Sequence, residues 1–86
     1  MPEISRFFGI VIAMYYDDHA PPHFHAIYGS EKAEIRIDPI GVLKGRLSPR
    51  ALSLVMEWVA LHQAELLEDW KLRAAGKAPH KIEPLR

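Results

Sequence analysis

The residues whose types suit chemistry are concentrated in one segment, Asp17–Ala26, which we call the histidine turn. It contains His19, His23 and His25, three of the five histidines in the chain, together with two aspartates and two prolines. Proline fixes its own φ and restrains the residue before it, so the segment is predicted to be a stiff turn. Imidazole is the side chain that most readily exchanges protons near neutral pH, and it also binds transition metals. The turn is therefore the candidate functional site.

The residues after the prolines are predicted to form a strand, His23–Tyr28, whose side chains alternate between the two faces of a sheet. His23 and His25 then share one face, while the aromatic residue between them points to the core on the other. His19 and the carboxylates of Asp17 and Asp18 lie across the turn, and we expect them to fold back toward the two imidazoles.

Three kinds of chemistry use such a set, and the residues alone leave them open. The first is general acid–base catalysis without a metal, which suits cleavage of RNA through its own 2′-hydroxyl. The second is binding of phosphate by charged imidazoles. The third is a divalent metal site for an ion such as zinc, with His19, His23 and His25 as ligands or with Asp17 or Asp18 completing a histidine pair. The alternative to all three is a purely structural turn whose imidazoles hydrogen-bond the backbone.

Length and composition bound the class of protein. Eighty-six residues predict a single domain, residues 1–86. The chain has no cysteine, which excludes disulfides and thiolate metal sites and favours a reducing compartment. The longest apolar run, Phe7–Tyr16, is too short to span a bilayer, and no signal peptide is visible. We therefore expect a cytoplasmic protein that does not enter a membrane.

Charge is balanced overall but unevenly distributed. The net charge of zero argues against a protein that binds long duplexes mainly by electrostatics. Basic residues nevertheless outnumber acidic ones between residues 32 and 50. Arg36, Lys44 and Arg46 are the candidates there for binding the phosphate of a substrate, and a solvated face of mixed charge is the alternative.

The hydrophobic pattern predicts an α+β fold. β-branched and aromatic residues favour strands, and one of the segments shows clean alternation of apolar and charged residues. The predicted architecture is an antiparallel sheet of three or four strands, in the order β-β-β-(β)-α, with one long C-terminal helix packed on one face. The predicted strands are Phe7–Tyr16, His23–Tyr28, Lys32–Asp38 and a weaker one, Val42–Leu47, which contains a glycine typical of a bulge or an edge.

The helix has recognisable start and stop signals. Ser48 is a typical N-cap, proline follows at the first helical position, and Gly76 is expected to stop a helix that runs to Ala75. A bend is expected near His62 because the helix is long for so small a domain. Its first half is apolar on nearly all sides, which favours self-association or a protein partner. Residues 77–86 are predicted to be an extended arm that is disordered or lies along a partner.

The chain resembles a small bacterial family, domain-of-unknown-function family 4160, over nearly its whole length. The most specific part is Asp18-His19-x-Pro21-Pro22-His23-Phe24-His25-Ala26. Further matching segments are Ile4–Ile10, Tyr28-Gly29, Arg50-Ala51-Leu52, Glu57-Trp58 with His62, Leu66-Leu67-x-x-Trp70 and Ile82–Leu85.

This resemblance implies a genomic setting more than an activity. Members of the family are often found beside another small domain of unknown function, in an arrangement like a two-gene toxin–antitoxin cassette. The implied function is a toxin–antitoxin-type protein that acts on or binds RNA. Because family membership does not by itself establish function, this expectation is associational.

The leading hypothesis assigns a role to each residue of the turn. His23 and His25 are the general acid and base, His19 orients them, and Asp18 fixes the tautomer of one imidazole. Such a ribonuclease needs no cofactor, and its activity is expected to survive a chelator. Two alternatives stay open, a non-enzymatic, antitoxin-like module that binds another protein and a metal-dependent hydrolase. The residues do not decide whether the protein is an enzyme.

Overall fold

Five antiparallel strands and one helix make up the fold in the computed structural model, which describes residues 2–86. The α+β class with a C-terminal helix is confirmed, but the sheet has five strands instead of three or four. Each strand pairs with the next one along the chain, in the spatial order β1-β2-β3-β4-β5. The elements are β1 (Glu3–Phe7), β2 (Ile10–Ala13), β3 (His23–Tyr28), β4 (Glu31–Ile37), β5 (Ile40–Arg46) and α1 (Pro49–Ala74).

The additional strand comes from a turn that interrupts the predicted strand Phe7–Tyr16. The chain reverses at Phe8 and Gly9, whose φ angles are 49° and 80°, and β1 then pairs antiparallel with β2. Two-residue turns with positive φ at both positions match the twist of the strands they join. Phenylalanine is uncommon in this left-handed region. Because the segment is apolar throughout, its composition did not indicate a turn.

The fifth strand is an edge strand with an irregularity, as its glycine predicted. Strand β5 pairs only with β4, and the register of the pair shifts between Glu34 and Ile35. This shift leaves Leu43 out of the pairing. Gly45, which is paired with Ala33, has a φ of 80°, and a Cβ there would collide with the carbonyl oxygen of Lys32. Only glycine combines this backbone conformation with so close an approach.

One face of the sheet is buried against α1. Trp58 is the largest fully buried side chain, and its ring lies 5.3 Å from that of Phe7 and 5.8 Å from that of Phe24. Its indole N–H donates a hydrogen bond of 2.8 Å to the carbonyl of Glu83. Trp58 is thus the central anchor of the core. Other core side chains from the sheet are Ile10, Ile12, Ala26, Ala33, Ile35 and Ile37.

The helix follows the prediction closely but is capped differently. It ends at Ala74, one residue early, and the predicted bend lies at His62, where φ is −126° and ψ is 22°. Ser48 precedes the first helical residue, yet its side chain makes no capping hydrogen bond. Its backbone N–H donates instead to the carboxylate of Glu31, at 2.9 Å. Ser48 therefore ties the helix start to the β3–β4 turn.

The C-terminal arm, residues 77–86, is extended and lies against its own domain. The N–H of Ile82 donates a 2.8 Å hydrogen bond to the carbonyl of Ile4 in β1, and the side chains of Ile82 and Leu85 are buried. Lys81 donates to the carbonyl of Glu3 through Nζ, at 2.6 Å. The arm thus joins the β1 edge of the sheet to the helix.

A buried carboxylate lies where the arm leaves the helix. Asp69 accepts the N–H of His80 through Oδ1 at 2.8 Å, whereas its Oδ2 has no hydrogen-bond partner within the described chain. Burial raises the pKa of the Asp69 carboxyl above its ordinary value. The hydrogen bond and charge of His80 oppose this rise, and the nearby carboxylates of Glu65 and Glu68 add to it.

Truncating the central tryptophan should destabilise the whole fold. We expect Trp58→Ala to lower the free energy of unfolding by about 3–5 kcal/mol, because it opens a large cavity in the core. Urea titration followed by circular dichroism measures this change. Leu61→Ala, at an exposed position of the same helix, is the matched control and should change stability little. Equal effects of the two variants would contradict the described core.

The Asp69 carboxyl should make stability depend on pH. The pKa of this carboxyl is higher in the folded than in the unfolded chain, where it lies near the ordinary 3.8. The contribution of Asp69 to the free energy of unfolding is therefore fully present below that value and is lost as pH rises through the folded pKa. Asp69→Asn keeps the acceptor for His80 but does not ionise. We therefore expect its stability relative to the native chain to increase as pH rises from about 4 to about 7 in urea titrations.

The control for this pH series is Glu57→Gln, which removes an exposed carboxylate from the same helix. It should leave the pH profile of stability parallel to that of the native chain. If the profile of Asp69→Asn is also parallel to that of the native chain, then Asp69 ionises as easily in the folded as in the unfolded state.

Candidate functional site

The carboxylate of Asp18 is held at the centre of the histidine turn. Its Oδ2 accepts the N–H of Tyr15 at 3.0 Å, and the N–H of Asp18 donates to the carbonyl of Tyr15 at 3.2 Å. From the helix, Nη1 of Arg73 donates to the carbonyls of Tyr16 and Asp18, at 3.1 and 2.9 Å. Local hydrogen bonds and a distant arginine therefore fix the turn together, and only 11% of the Asp18 side chain is exposed.

Two imidazoles converge on this carboxylate. Nε2 of His25 lies 3.1 and 3.2 Å from the two oxygens of Asp18. Nε2 of His23 lies 3.7 Å from Oδ1 of Asp18 and 3.5 Å from Oε1 of Glu34. One ligand atom each from Asp18, His23 and His25 fits within 4.8 Å of the others. We call these three residues the Asp–His cluster.

The neighbours of each ring decide which nitrogen carries a proton. Nδ1 of His23 lies 2.9 Å from the carbonyl oxygen of Pro21, which only accepts, so Nδ1 is the donor. In the neutral ring Nε2 of His23 then presents a lone pair toward the carboxylates of Asp18 and Glu34. An ionised Asp18 accepts from Nε2–H of His25, which leaves the lone pair of the neutral His25 ring on Nδ1.

Aromatic rings support both imidazoles. The ring of Tyr15 meets that of His25 edge-on, with centroids 4.5 Å apart. The ring of Trp70 lies 5.2 Å from that of His23, and the guanidinium carbon of Arg73 lies 3.5 Å from the centroid of Trp70. The side chain of His23 is 7% exposed and that of His25 is 21% exposed. His25 is therefore the more exposed of the two imidazoles.

Two clefts flank the cluster and share Glu34 in their walls. The larger, of about 420 Å³, contains His23 and the turn itself, and it is lined by Asp17, Asp18, His19, Ala20, Pro21, His23, Glu34 and Leu43. The smaller, of about 290 Å³, contains His25 beside two lysines, and it is lined by His25, Lys32, Ala33, Glu34, Lys44 and Gly45. Each imidazole of the cluster therefore borders a space large enough for part of a ligand.

The predicted site residues fall into two groups. His23, His25 and Asp18 come together as described, whereas His19 is exposed in the wall of the larger cleft and is not among the groups that converge within 4.8 Å. A metal site made of His19, His23 and His25 is therefore not the set that the fold assembles. The expectation that a carboxylate from the turn joins a histidine pair describes the geometry better.

The predicted phosphate-binding residues lie on strands next to the cluster. Sheet register puts Lys44 opposite Glu34, which is opposite His25, so these three form one row across the sheet. Arg46 stands opposite Lys32, further along the strands. Arg36 pairs in register with His23, and its Nε donates to the carbonyl of Pro39 at 2.8 Å. Arg36 thus also stabilises the β4–β5 turn.

Three residues of the site were missed by the sequence interpretation. Glu34, Trp70 and Arg73 were not among the residues predicted for the site. The short β3–β4 hairpin determines a register that would have indicated Glu34 as a neighbour of His25. The three-residue spacing of Trp70 and Arg73 would have indicated their contact, but no local signal connects Arg73 with the turn.

A comparison with known families matches residues 9–71 to the family described as Domain of unknown function (DUF4160), and this range contains the complete histidine turn. The chain belongs to this family. No curated protein and no solved structure matched the chain. Within residues 2–86, α1 is not apolar enough over a sufficient length to cross a membrane. The resemblance found in the sequence is confirmed at the level of the family, whose description names no activity.

Removing the arginine that holds the turn should loosen the cluster. We expect Arg73→Met to lower the free energy of unfolding by about 1–3 kcal/mol, because the carbonyls of Tyr16 and Asp18 lose their donor. The imidazole NMR signals of His23 and His25 should shift as well. Arg6→Met, which breaks an exposed pair with Glu3, is the control. Unchanged imidazole signals in Arg73→Met would contradict a positioning role.

Proposed function

We propose that this protein cleaves RNA at the Asp–His cluster, using its imidazoles to move protons and no metal ion. The observation that carries the proposal is that Oδ1 of Asp18 lies within 3.7 Å of Nε2 in two imidazoles, each of which borders a cleft. Imidazole is suited to both halves of such a reaction, since it can accept a proton in one form and donate it in the other.

The hydrogen bonds assign different roles to the two histidines. Asp18 accepts from Nε2–H of His25, which leaves Nδ1 of that ring to accept the proton of the RNA 2′-hydroxyl. The 2′-oxygen then attacks the adjacent phosphorus. His23, with its Nε2 between two carboxylates, donates a proton to the departing 5′-oxygen. The products are a 2′,3′-cyclic phosphate and a 5′-hydroxyl, so atoms and charges balance without a cofactor.

Basic residues beside the cluster would bind the substrate phosphates. Lys32 and Lys44 line the cleft that contains His25, and Arg46 lies opposite Lys32. Positive groups near a transferring phosphate stabilise the charge that develops in the transition state. Arg36, in register with His23, would bind through the guanidinium nitrogens not used in the turn. His19 would contact substrate from the wall of the larger cleft and orient the pair.

The family resemblance adds a biological setting to this proposal. In a two-gene toxin–antitoxin cassette, a member that cleaves RNA is the toxin, whereas a member without catalytic activity is its partner. A single cleavage assay therefore distinguishes the two roles for this chain.

A non-enzymatic, protein-binding module is the second candidate, and the sheet edge favours it. Strand β5 has no neighbour on its outer side within the described chain, and Ile40, Val42 and Leu43 are exposed along it. An exposed strand edge can add a strand from another protein. In this candidate the histidines only shape the turn, so replacing them would leave binding intact.

Replacing the two histidines tests the proposal directly. We expect His23→Ala and His25→Ala each to reduce cleavage of a single-stranded RNA at least about 100-fold in the presence of chelator, because each removes a proton-transfer group. Product ends are identified by mass spectrometry. His80→Ala, at an exposed histidine outside the cluster, should cleave normally. Native-like circular dichroism of each variant is required.

Two results would contradict the proposal. The first is absence of cleavage by the native chain under these conditions, and the second is cleavage that survives in the folded double variant. Either result together with intact partner binding would favour the protein-binding candidate.

A further inference from the structure

We propose that the Asp–His cluster is also a binding site for one divalent transition-metal ion of the zinc class, with Asp18, His23 and His25 as its ligands. Neither the family description nor the proposed cleavage reaction assigns a metal to this chain. Binding of the ion does not depend on that reaction. Only the effect of the ion on cleavage rests on the proposed function.

The separations between the potential ligand atoms suit a metal ion. Nitrogen and oxygen ligands lie about 2.0–2.2 Å from zinc, so neighbouring ligand atoms in a tetrahedral site are about 3.3–3.6 Å apart. Nε2 of His25 and Oδ1 of Asp18 are 3.1 Å apart, and Nε2 of His23 and the same oxygen are 3.7 Å apart. All three ligand atoms lie within 4.8 Å of one another, so movements of up to about 1 Å would complete the site.

The hydrogen bond of His23 on its far side is typical of a metal ligand. Histidines that bind metals usually donate their other ring N–H to a carbonyl or carboxylate, which fixes the tautomer and the orientation of the ring. Nδ1 of His23 has this arrangement with the carbonyl of Pro21, at 2.9 Å. Its Nε2 lone pair then faces only acceptor oxygens, from Asp18 and Glu34. A cation between these atoms turns a repulsive arrangement into an attractive one.

The carboxylate of Asp18 is supported in the same way. Its Oδ2 accepts the N–H of Tyr15, and Nη1 of Arg73 donates to the backbone carbonyl of Asp18. Oδ1 is consequently directed at the two imidazoles before any ion arrives. Ligands held in this manner lose little conformational freedom on binding, which increases affinity.

The remaining environment decides which ion fits. Imidazole ligands suit zinc, copper, nickel and iron, whereas magnesium and calcium prefer sets made of oxygen alone. With the charges of Asp18 and Glu34, the site balances a divalent cation. Oε1 of Glu34 is 3.5 Å from Nε2 of His23, near enough to serve as a fourth ligand or to accept a proton from bound water.

Occupation by zinc should inhibit the proposed cleavage. An ion bound to Nε2 of His23 and Nε2 of His25 takes the lone pair that His23 needs to carry its proton, and it displaces the proton that Asp18 holds on His25. Both proton-transfer roles are then lost. Zinc is therefore expected to act as a competitive occupant of the cluster and not as the catalyst.

Binding is measured first, without any RNA. The purified chain, treated with chelator and then dialysed, is titrated with zinc chloride in a calorimeter and by imidazole NMR. We expect one equivalent to bind, the signals of His23 and His25 to change, and those of His62 and His80 to stay. Cobalt chloride should give the visible absorption spectrum of a site with low coordination number. Absence of stoichiometric binding, or changes confined to other histidines, would overturn the proposal.

Variants then test the ligand set. His25→Gln and Asp18→Asn should weaken zinc binding at least about 100-fold. Replacing a residue that only supports a metal ligand costs up to about 100-fold in affinity, and loss of a ligand itself should cost no less. His19→Ala should retain most of the affinity, because His19 lies outside the cluster. His80→Ala is the matched control. If a variant does not fold, the NMR titration of the native chain still decides the site. Undiminished binding by folded His25→Gln would overturn the assignment.

Cleavage assays with and without zinc separate this inference from the proposed function. Loss of cleavage with one equivalent of zinc, and its recovery with chelator, would support both. Cleavage that appears only with zinc would keep the metal site and overturn the metal-free mechanism. Zinc binding to a protein that never cleaves RNA would keep the site and overturn the proposed function. If the zinc-loaded protein cleaves RNA at an unaltered rate, the zinc site and the cleavage site do not share the Asp–His cluster, and this inference is overturned.

Discussion

The hydrogen bonds from Arg73 to the carbonyls of Tyr16 and Asp18 are the interaction on which the site depends. The turn between β2 and β3 has no regular backbone pairing of its own along most of its length, so its shape requires partners from elsewhere. Arginine can supply several donors in a rigid plane, and stacking on Trp70 holds that plane in position. The carboxylate of Asp18 lies beside two imidazoles because its backbone is held in this position.

This support explains why so small a domain has so long a helix. The first half of α1 buries Trp58 and the core, and the second half passes the histidine turn and delivers Trp70 and Arg73 to it. The bend at His62 separates the two halves. The C-terminal arm then returns to β1 and accepts the indole N–H of Trp58, so the ends of the described chain meet at the core. Fold and site are therefore stabilised by the same helix.

The sheet contributes the other half of the site through its register. In the antiparallel meander, His25, Glu34 and Lys44 lie side by side on three successive strands. This row places an acid between an imidazole and an amine, which makes the surface suitable for a cation at the cluster and for an anion further out. The proposed cleavage and the proposed metal site depend on these two properties. In these proposals the metal-free cluster transfers protons, and the metal-occupied cluster does not.

The sequence by itself determined the class of fold, the bounds of β3, the long helix and the stretch that holds the site. These follow from local properties: alternation of apolar residues, a helix start at Ser48-Pro49, and proline-stiffened histidines. It misjudged the first strand because the turn at Phe8 and Gly9 is made without polar residues. Only the tertiary structure decided that Asp18 and not His19 joins the histidine pair, and that Arg73 and Glu34 belong to the site. The physical reason is that the contacts of Arg73 with the turn join residues up to 57 positions apart, and their geometry depends on how the helix packs on the sheet, which no local pattern in the sequence encodes.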